Sequence, residues 1–240
     1  MAARFYVDAP LRAGSVCTLS EDAAHHAIHV LRLREGEEVT LFNGRGGEFA
    51  ARIASIQRLR IAIDLLQHRP IEREAPLRVT LVQGVSAGEK MDSTVRKAVE
   101  LGVAEVQPVL AARSVARPKG ERAENRRGHW QKVVIAACEQ CGRNRIPEIL
   151  PLMPVSEYRA SPAATRILLS PSAQLPFSKA PLQGDRFILA AGPEAGFTAE
   201  EEAALAAAGF VPASLGPRVL RTETAAVAAL AALSALRGDS

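Results

Sequence analysis

Two glycine-bearing turns hold most of the chemical promise in this 240-residue chain. Gly192-Pro193-Glu194-Ala195-Gly196 follows the apolar run 186–191, and Gly216-Pro217 follows 211–214 inside the stretch Ser214-Leu215-Gly216-Pro217-Arg218-Val219-Leu220-Arg221-Thr222-Glu223-Thr224. A Gly or Pro that bends the chain sharply after an apolar strand brings backbone N–H and C=O groups within reach of a ligand. Groups presented in that way can read the edge of a heterocyclic base. Ligands in open α/β sheets gather beyond the carboxyl ends of the strands, so these turns and Pro171-Ser172, after the run 166–170, are expected to converge.

Other nucleotide and metal patterns fail on their spacing. In Gly84 to Met91, Glu89 separates the second glycine from Lys90, and Met91 stands where a P-loop needs a magnesium-binding hydroxyl. The Gly192 turn is not G-x-G-x-x-G and lies too late in the chain for a first strand-to-helix turn. His25 and His29 have i, i+4 spacing, but no His-Glu-x-x-His pattern or third ligand accompanies them. Cys138 and Cys141 lack two further zinc ligands and fall in a helical run, so thiols in a reducing compartment are the simpler reading. No metal is expected.

These turns need a frame. With 48% hydrophobic residues the chain can bury a substantial core. The first seventy residues read as short strands at 3–7, 39–42, 48–56 and 59–66, with Asn43 to Gly47 as a hairpin signal and one helix from Ser20 or Glu21 to about Leu31, capped by Ser20. Pro70 and Pro76 bound a charged linker. Beyond it, strands at 77–83, 104–110, 166–170, 186–191 and 211–214 alternate with helices at 90–101, about 124–140, 198–208 and 223–236, which indicates a parallel α/β sheet. The expected domains are 1–70, a linker 71–76, and 77–240. Thr198 and Glu201 make a capping box, so Thr198 needs no ligand role. Ala, Val and Leu cover nearly every face of the last helix, the pattern of an enclosed helix.

A formal charge of +4 and a sequence pI of about 9.2 favour a polyanionic partner. Basic residues concentrate at Arg113, Arg117, Lys119, Arg122, Arg126 and Arg127, followed by Arg143 and Arg145, with a second patch of Arg32, Arg34, Arg58 and Arg60. Such runs can track phosphates, although mixed charge often marks only a solvated face. No apolar run is long enough to span a bilayer and Met1 to Pro10 has no signal-peptide core, so a cytoplasmic protein is expected.

Five stretches, in order, carry a family resemblance: His25-His26 through Val30-Leu31-Arg32; Lys90-Met91 with Lys97 to Val103; Glu139-Gln140-Cys141-Gly142-Arg143; the Gly192 turn; and Ser214 to Thr224. Together they resemble the RsmE family of the SPOUT class of S-adenosylmethionine-dependent RNA methyltransferases. The resemblance implies a PUA-like RNA-binding β-barrel followed by a SPOUT domain with a C-terminal trefoil knot, in a homodimer. It also implies methylation of N3 of a uridine in 16S ribosomal RNA, on free RNA or the 30S subunit. By that analogy, backbone near Leu169, Ser170, Gly192, Gly196, Leu215, Gly216 and Leu220 holds the S-adenosyl-L-methionine, and His26 lies on an RNA-facing helix.

Methylating an imide nitrogen requires loss of its proton, so a carboxylate base and a cation that stabilises the developing charge are wanted. Glu139, Glu194 and Glu223 are candidate bases; Arg221, ahead of Arg143, is the candidate stabiliser. Glu223 could equally be a favourable charge at a helix N-terminus, and Arg221 a surface ion pair. Two alternatives stay open: another SPOUT methylation, on a ribose 2'-hydroxyl or transfer RNA, or a noncatalytic ribosome-assembly factor.

Overall fold

The computed structural model describes residues 2–58, 60–161 and 164–238. The chain forms two compact units, one made of Met1–Glu74 with Cys138–Ile146 and the other of Ala75–Ala137 with Pro147–Ser240. The first unit is therefore discontinuous in sequence.

In the first unit, β1 (Ala3–Tyr6), β2 (Val16–Thr18), β3 (Glu38–Phe42), β4 (Glu48–Gln57) and β5 (Arg60–Arg69) form a sheet in the order β1-β3-β4-β5-β2. Leu59, where the last of these strands was expected to begin, lies outside the described residues. β1 runs parallel to β3 and the other pairs are antiparallel. Among the described residues the ladder ends at β1 and β2, so the expected barrel is a five-stranded sheet by its hydrogen bonds. Alternation places Phe5, Leu41, Phe49, Ile53, Ile61, Ile63 and Leu65 on one buried side. Ala24 and Ala27 of the helical segment pack into the same core.

That segment starts as α1 (Glu21–His25), with the Ser20 hydroxyl accepting the Ala23 N–H at 3.3 Å. It then widens into a π-helical turn, His26–Val30, where the Leu31 N–H reaches the His26 carbonyl at 3.0 Å. The Ser20 cap on which the helix expectation rests fixes where the helix starts, not whether its later turns are α or π, which is why the widening was invisible in sequence. Arg32 leaves the turn with φ of 57°, a left-handed conformation uncommon outside glycine.

The second unit is built on a parallel sheet, ordered β12-β10-β11-β6-β7-β8, with β9 also paired to β7. Its strands are β6 (Arg78–Gly84), β7 (Glu105–Leu110), β8 (Glu148–Ile149), β9 (Met153–Pro154), β10 (Thr165–Leu169), β11 (Arg186–Ala191) and β12 (Val211–Ala213). The near-continuous burial of β6, β7 and β11 explains their apolar runs, as for strands covered on both faces. α2 (Glu89–Glu100) buries Met91, Thr94, Val95, Ala98 and Val99, one stripe at helical spacing, and packs beside α5 (Thr222–Arg237). α3 (Glu121–Cys141) runs from the second unit's segment into the first's. α4 (Ala199–Ala207) begins with the expected reciprocal cap: Glu201 N–H to Thr198 Oγ1 at 3.2 Å and Thr198 N–H to Glu201 Oε2 at 2.9 Å.

α5 departs from expectation. It buries Thr222, Ala226, Ala229, Leu230 and Leu233 along one stripe, while Thr224, Ala231, Ala235 and Leu236 are exposed. Within one chain it is amphipathic by position although not by composition, because alanine serves either face. No helix among the described residues is long and apolar enough to cross a membrane.

Candidate active site

Register brings three strand ends to one edge of the parallel sheet: Leu168 pairs with Ala190 and Leu169 with Ala213. The turns that follow start at Ser170, Gly192 and Ser214. Ser170 N–H donates to the Ala213 carbonyl at 3.1 Å, and the loop after β10 returns so that Phe177 N–H meets Ser214 O at 2.9 Å. Ser170 is buried, its hydroxyl 3.0 Å from that of Ser172 and 3.2 Å from Glu202 Oε2. Sequence reading missed Glu202; nothing in the glutamate run at the start of α4 singles it out.

The glycines divide by what they face. Gly196 and Gly216 have φ of +70° and +88°, and an added Cβ at either would meet nothing within 4 Å, so both turns border open space. Leu215 and Leu220 are half-buried, and 216–219 are exposed. Gly192 is different. A Cβ there would come within 2.8 Å of Phe197 N and 3.0 Å of Gly196 C, so its own turn, not a ligand, demands glycine. Gly84, at the end of β6, is required for the same kind of reason: a Cβ would strike the backbone of Gly192 and Pro193.

Two polar latches hold the Gly192 turn. Thr222 Oγ1 donates to the Gly192 carbonyl at 2.6 Å and accepts from Gln83 Nε2 at 3.0 Å. On its other side, Glu194 Oε1 takes the Ala87 N–H at 3.0 Å and Lys90 Nζ at 3.3 Å. Burial pushes the Glu194 carboxyl up, but hydrogen bonds from its own N–H, Ala87 and Lys90 outweigh it and hold the group below its ordinary value. A carboxylate so held is a weak base, which argues against the role expected for Glu194. Arg113 Nη1 adds bonds to the carbonyls of Ala195 at 3.1 Å and Phe197 at 3.4 Å. It clamps this turn.

At the start of α5, Arg221 occupies the N-cap position with its side chain exposed and, among the described residues, without a hydrogen bond or ion pair. Glu223 is half-buried, and its Oε2 is enclosed without a partner among the described residues. The edge thus presents open backbone turns beside the exposed Arg221 and, among the described residues, an under-satisfied Glu223 carboxylate. That is what activation of an acidic N–H next to a bound donor molecule requires.

The RNA methyltransferase domain family matches residues 73–234 and the RNA methyltransferase PUA domain family matches 19–66. The ribosomal RNA small subunit methyltransferase E of Buchnera aphidicola (subsp. Schizaphis graminum) is 35% identical over 98% of this chain and 97% of its own. The chain belongs to that methyltransferase E family. Two solved structures extend the match: a Legionella pneumophila methyltransferase in complex with the bound cofactor SAM (TM-score 0.93) and the Neisseria gonorrhoeae ribosomal RNA small subunit methyltransferase E bound to S-adenosyl methionine (TM-score 0.91). Each is 36% identical, with 98% of both chains covered.

In this chain the Glu139 to Arg143 motif is part of the first unit, not of the unit that carries the glycine turns. Glu139 Oε1 accepts the Tyr6 N–H at 2.9 Å, and burial raises its pKa above the ordinary carboxylate value, partly opposed by that bond, His26 and Arg4. Arg143 is buried and its Nε donates to Glu74 Oε2 at 3.0 Å. Both expected catalytic groups are therefore engaged inside the first unit. The Cys138 thiol is buried and pushed up to about 12, mainly by desolvation.

The expected RNA contacts also separate by engagement. Arg117 hydrogen-bonds the carbonyls of Ala111, Ala112 and Ser114, and Arg127 bonds the Ile149 carbonyl at 2.8 Å and pairs with Glu124 and Glu148. Lys119, Arg122 and Arg126 are exposed along an open groove of about 1150 Å³ near the start of α3. In the first unit, His26, Arg32 and Arg34 accompany the π turn, where the His25 and His29 rings lie 4.5 Å apart. Among the described residues no group of three His, Cys, Asp or Glu is placed to hold a metal.

Proposed function

We propose that this protein transfers the methyl group of S-adenosylmethionine to N3 of a uridine in 16S ribosomal RNA. The observation carrying the proposal is the 36% identity, over 98% of both chains, to methyltransferases whose structures hold S-adenosylmethionine, together with three strand-end turns on one sheet edge. Gly196 and Gly216 each border open space, and the half-buried Leu215 and Leu220 adjoin the second turn in sequence, which suits a flat heterocycle held by backbone groups. Leu169, Ser170 and the Gly192 turn complete the cofactor set. The donor supplies an already activated methyl on sulfonium, so no metal or covalent nucleophile is needed.

The chain's own residues handle the acceptor. The half-buried Glu223 takes the N3 proton on its carboxylate, and the Arg221 guanidinium faces the uracil carbonyl oxygens on which negative charge grows. Lys119 and Arg126 in the second unit, and His26, Arg32 and Arg34 in the first, contact phosphates. The threaded trefoil topology is part of this reading. It is supported by β11 lying between β10 and β6, and by the tie from Thr222, which follows β12, back to Gly192. So is a cytoplasmic homodimer, for which the exposed alanine-rich side of α5 offers a close-packing face. The test is methyl transfer to 30S particles and naked 16S RNA from cells lacking the enzyme, with the product nucleoside identified by mass spectrometry. Absence of N3-methyluridine on both substrates sinks the proposal.

A further inference from the structure

Gln83 is a costly residue for its position. It is the next-to-last residue of β6, between Val82 and Gly84 in the buried end of that strand, and is fully buried. Its Nε2 donates to Gly84 O at 3.0 Å, Gly192 O at 3.4 Å and Thr222 Oγ1 at 3.0 Å, which fixes the amide orientation by three acceptors. The opposite atom, Oε1, is enclosed with no partner among the described residues. A buried acceptor left unmet destabilises a fold, whereas an apolar side chain of similar shape would not. Packing alone gives no reason to place an amide here.

The geometry points to one. We infer that Gln83 and Thr222 are positioning residues for methyl transfer, a polar relay that sets the start of α5 against the donor-binding Gly192 turn. Three elements far apart in sequence meet in these two side chains: the end of β6, the turn after β11 and the first turn of α5. The Thr222 hydroxyl stands in the middle, donating to Gly192 O and accepting from Gln83. Its neighbours in sequence are Arg221 and Glu223. A shift of the hydroxyl therefore moves the groups assigned to the acceptor relative to the turn assigned to the donor. A sub-ångström to 1 Å misplacement of this kind costs rate by orders of magnitude without touching the reactants. Neither residue needs to contact substrate.

The inference rests on the donor site proposed above, and its test separates the two. Thr222→Val keeps the side-chain shape and removes the hydroxyl; Thr222→Ser keeps the hydroxyl; Gln83→Met breaks the relay from its other end and serves if Thr222→Val does not fold. The expected result is a roughly tenfold loss of S-adenosylmethionine affinity by calorimetry, the value of one hydrogen bond, with a further fall in kcat at saturating donor. The KM for RNA is unchanged, the thermal midpoint moves by no more than about 4 °C, and Thr222→Ser recovers most of the loss. Wild-type donor affinity and kcat in both Thr222→Val and Gln83→Met overturn the inference while leaving the donor site standing. So do losses shared equally with RNA binding and thermal midpoint and not recovered by Thr222→Ser. Wild-type protein that binds no donor overturns the site and the relay together.

Discussion

Replacing Glu48 by Gln should loosen the first unit severely while sparing the second. Glu48 opens β4 at 4% exposure, and its Oε2 receives Arg4 Nη1 at 2.5 Å, Arg73 Nη1 at 3.0 Å and Asn144 Nδ2 at 3.4 Å. Arg4 is buried too, its side chain 7% exposed, and it also donates to Asn144 Oδ1 at 2.7 Å and to the Gly142 carbonyl at 3.2 Å. Exposed ion pairs contribute about 0–1 kcal/mol, and the half-exposed Arg73 belongs near that class. The Arg4 half is buried, so neutralising Glu48 strands a guanidinium in the interior, a loss of about 3–5 kcal/mol. Taking the lower bound, local opening of β1, β4 and 142–144 becomes more frequent by roughly 100-fold.

Hydrogen exchange read by mass spectrometry is the right assay. The only tryptophan, Trp130, is buried in the second unit, so its fluorescence would miss the event. Acid should mimic the variant. Burial works to raise the Glu48 pKa, but the bonds and charges of Arg4 and Arg73 outweigh it and hold the group below its ordinary value. Its contribution is thus complete above the ordinary carboxylate range and fades as pH falls through the depressed folded value. The double variant Arg4→Met, Glu48→Leu should recover most of the loss, because apolar replacement of a whole buried pair is often neutral. Exchange in the first unit accelerated less than about fivefold by Glu48→Gln would refute the reasoning.

Arg221→Ala should lower kcat by about 10²–10³ with donor affinity nearly unchanged, measured by steady-state kinetics and calorimetry; an unchanged kcat would remove Arg221 from the acceptor site. Glu139→Gln should retain methylation and be as stable as wild type or more so at neutral pH, since burial raises the folded pKa of Glu139 and its stabilising effect is lost as pH rises through that value. Thermal melts across pH, with an activity assay, check both halves. Lys119→Ala with Arg126→Ala should reduce the slope of log affinity against log salt by about 1.4 for single-stranded RNA, two contacts at roughly 0.7 each. Thr198→Ala removes one half of the α4 capping box and should cost about 1 kcal/mol in denaturant titrations without changing donor affinity.

Much of the frame was readable because parallel strands leave a strong trace. β6, β7, β10 and β11 each carry a run of buried, mostly apolar residues, and the Thr198 to Glu201 box announces α4 through local chemistry. The glycine turns were visible for the same reason, each a break after an apolar run. What could not be read is long-range. That Glu139 and Arg143 are held by Tyr6 and Glu74 depends on pairings 133 and 69 residues apart, which no local pattern encodes. Arg113, Arg117 and Arg127 look like free cations in sequence, yet carbonyl groups that happen to lie within reach engage them. Gln83 did leave a signal, an amide following the apolar Leu81-Val82 in β6. Its meaning required Thr222, 139 residues away.

The discontinuity of the first unit has a consequence for biosynthesis. When residue 74 has left the ribosome, Arg4 and Glu48 are both made, but Gly142 and Asn144, which complete their hydrogen bonding, are not. At about 5–20 residues per second the wait is on the order of 4–14 s. The nascent chain must carry the N-terminal sheet with its buried ion pair incompletely hydrogen-bonded through that interval. For the same reason, a fragment cut at residue 74 should not behave as a free-standing RNA-binding module.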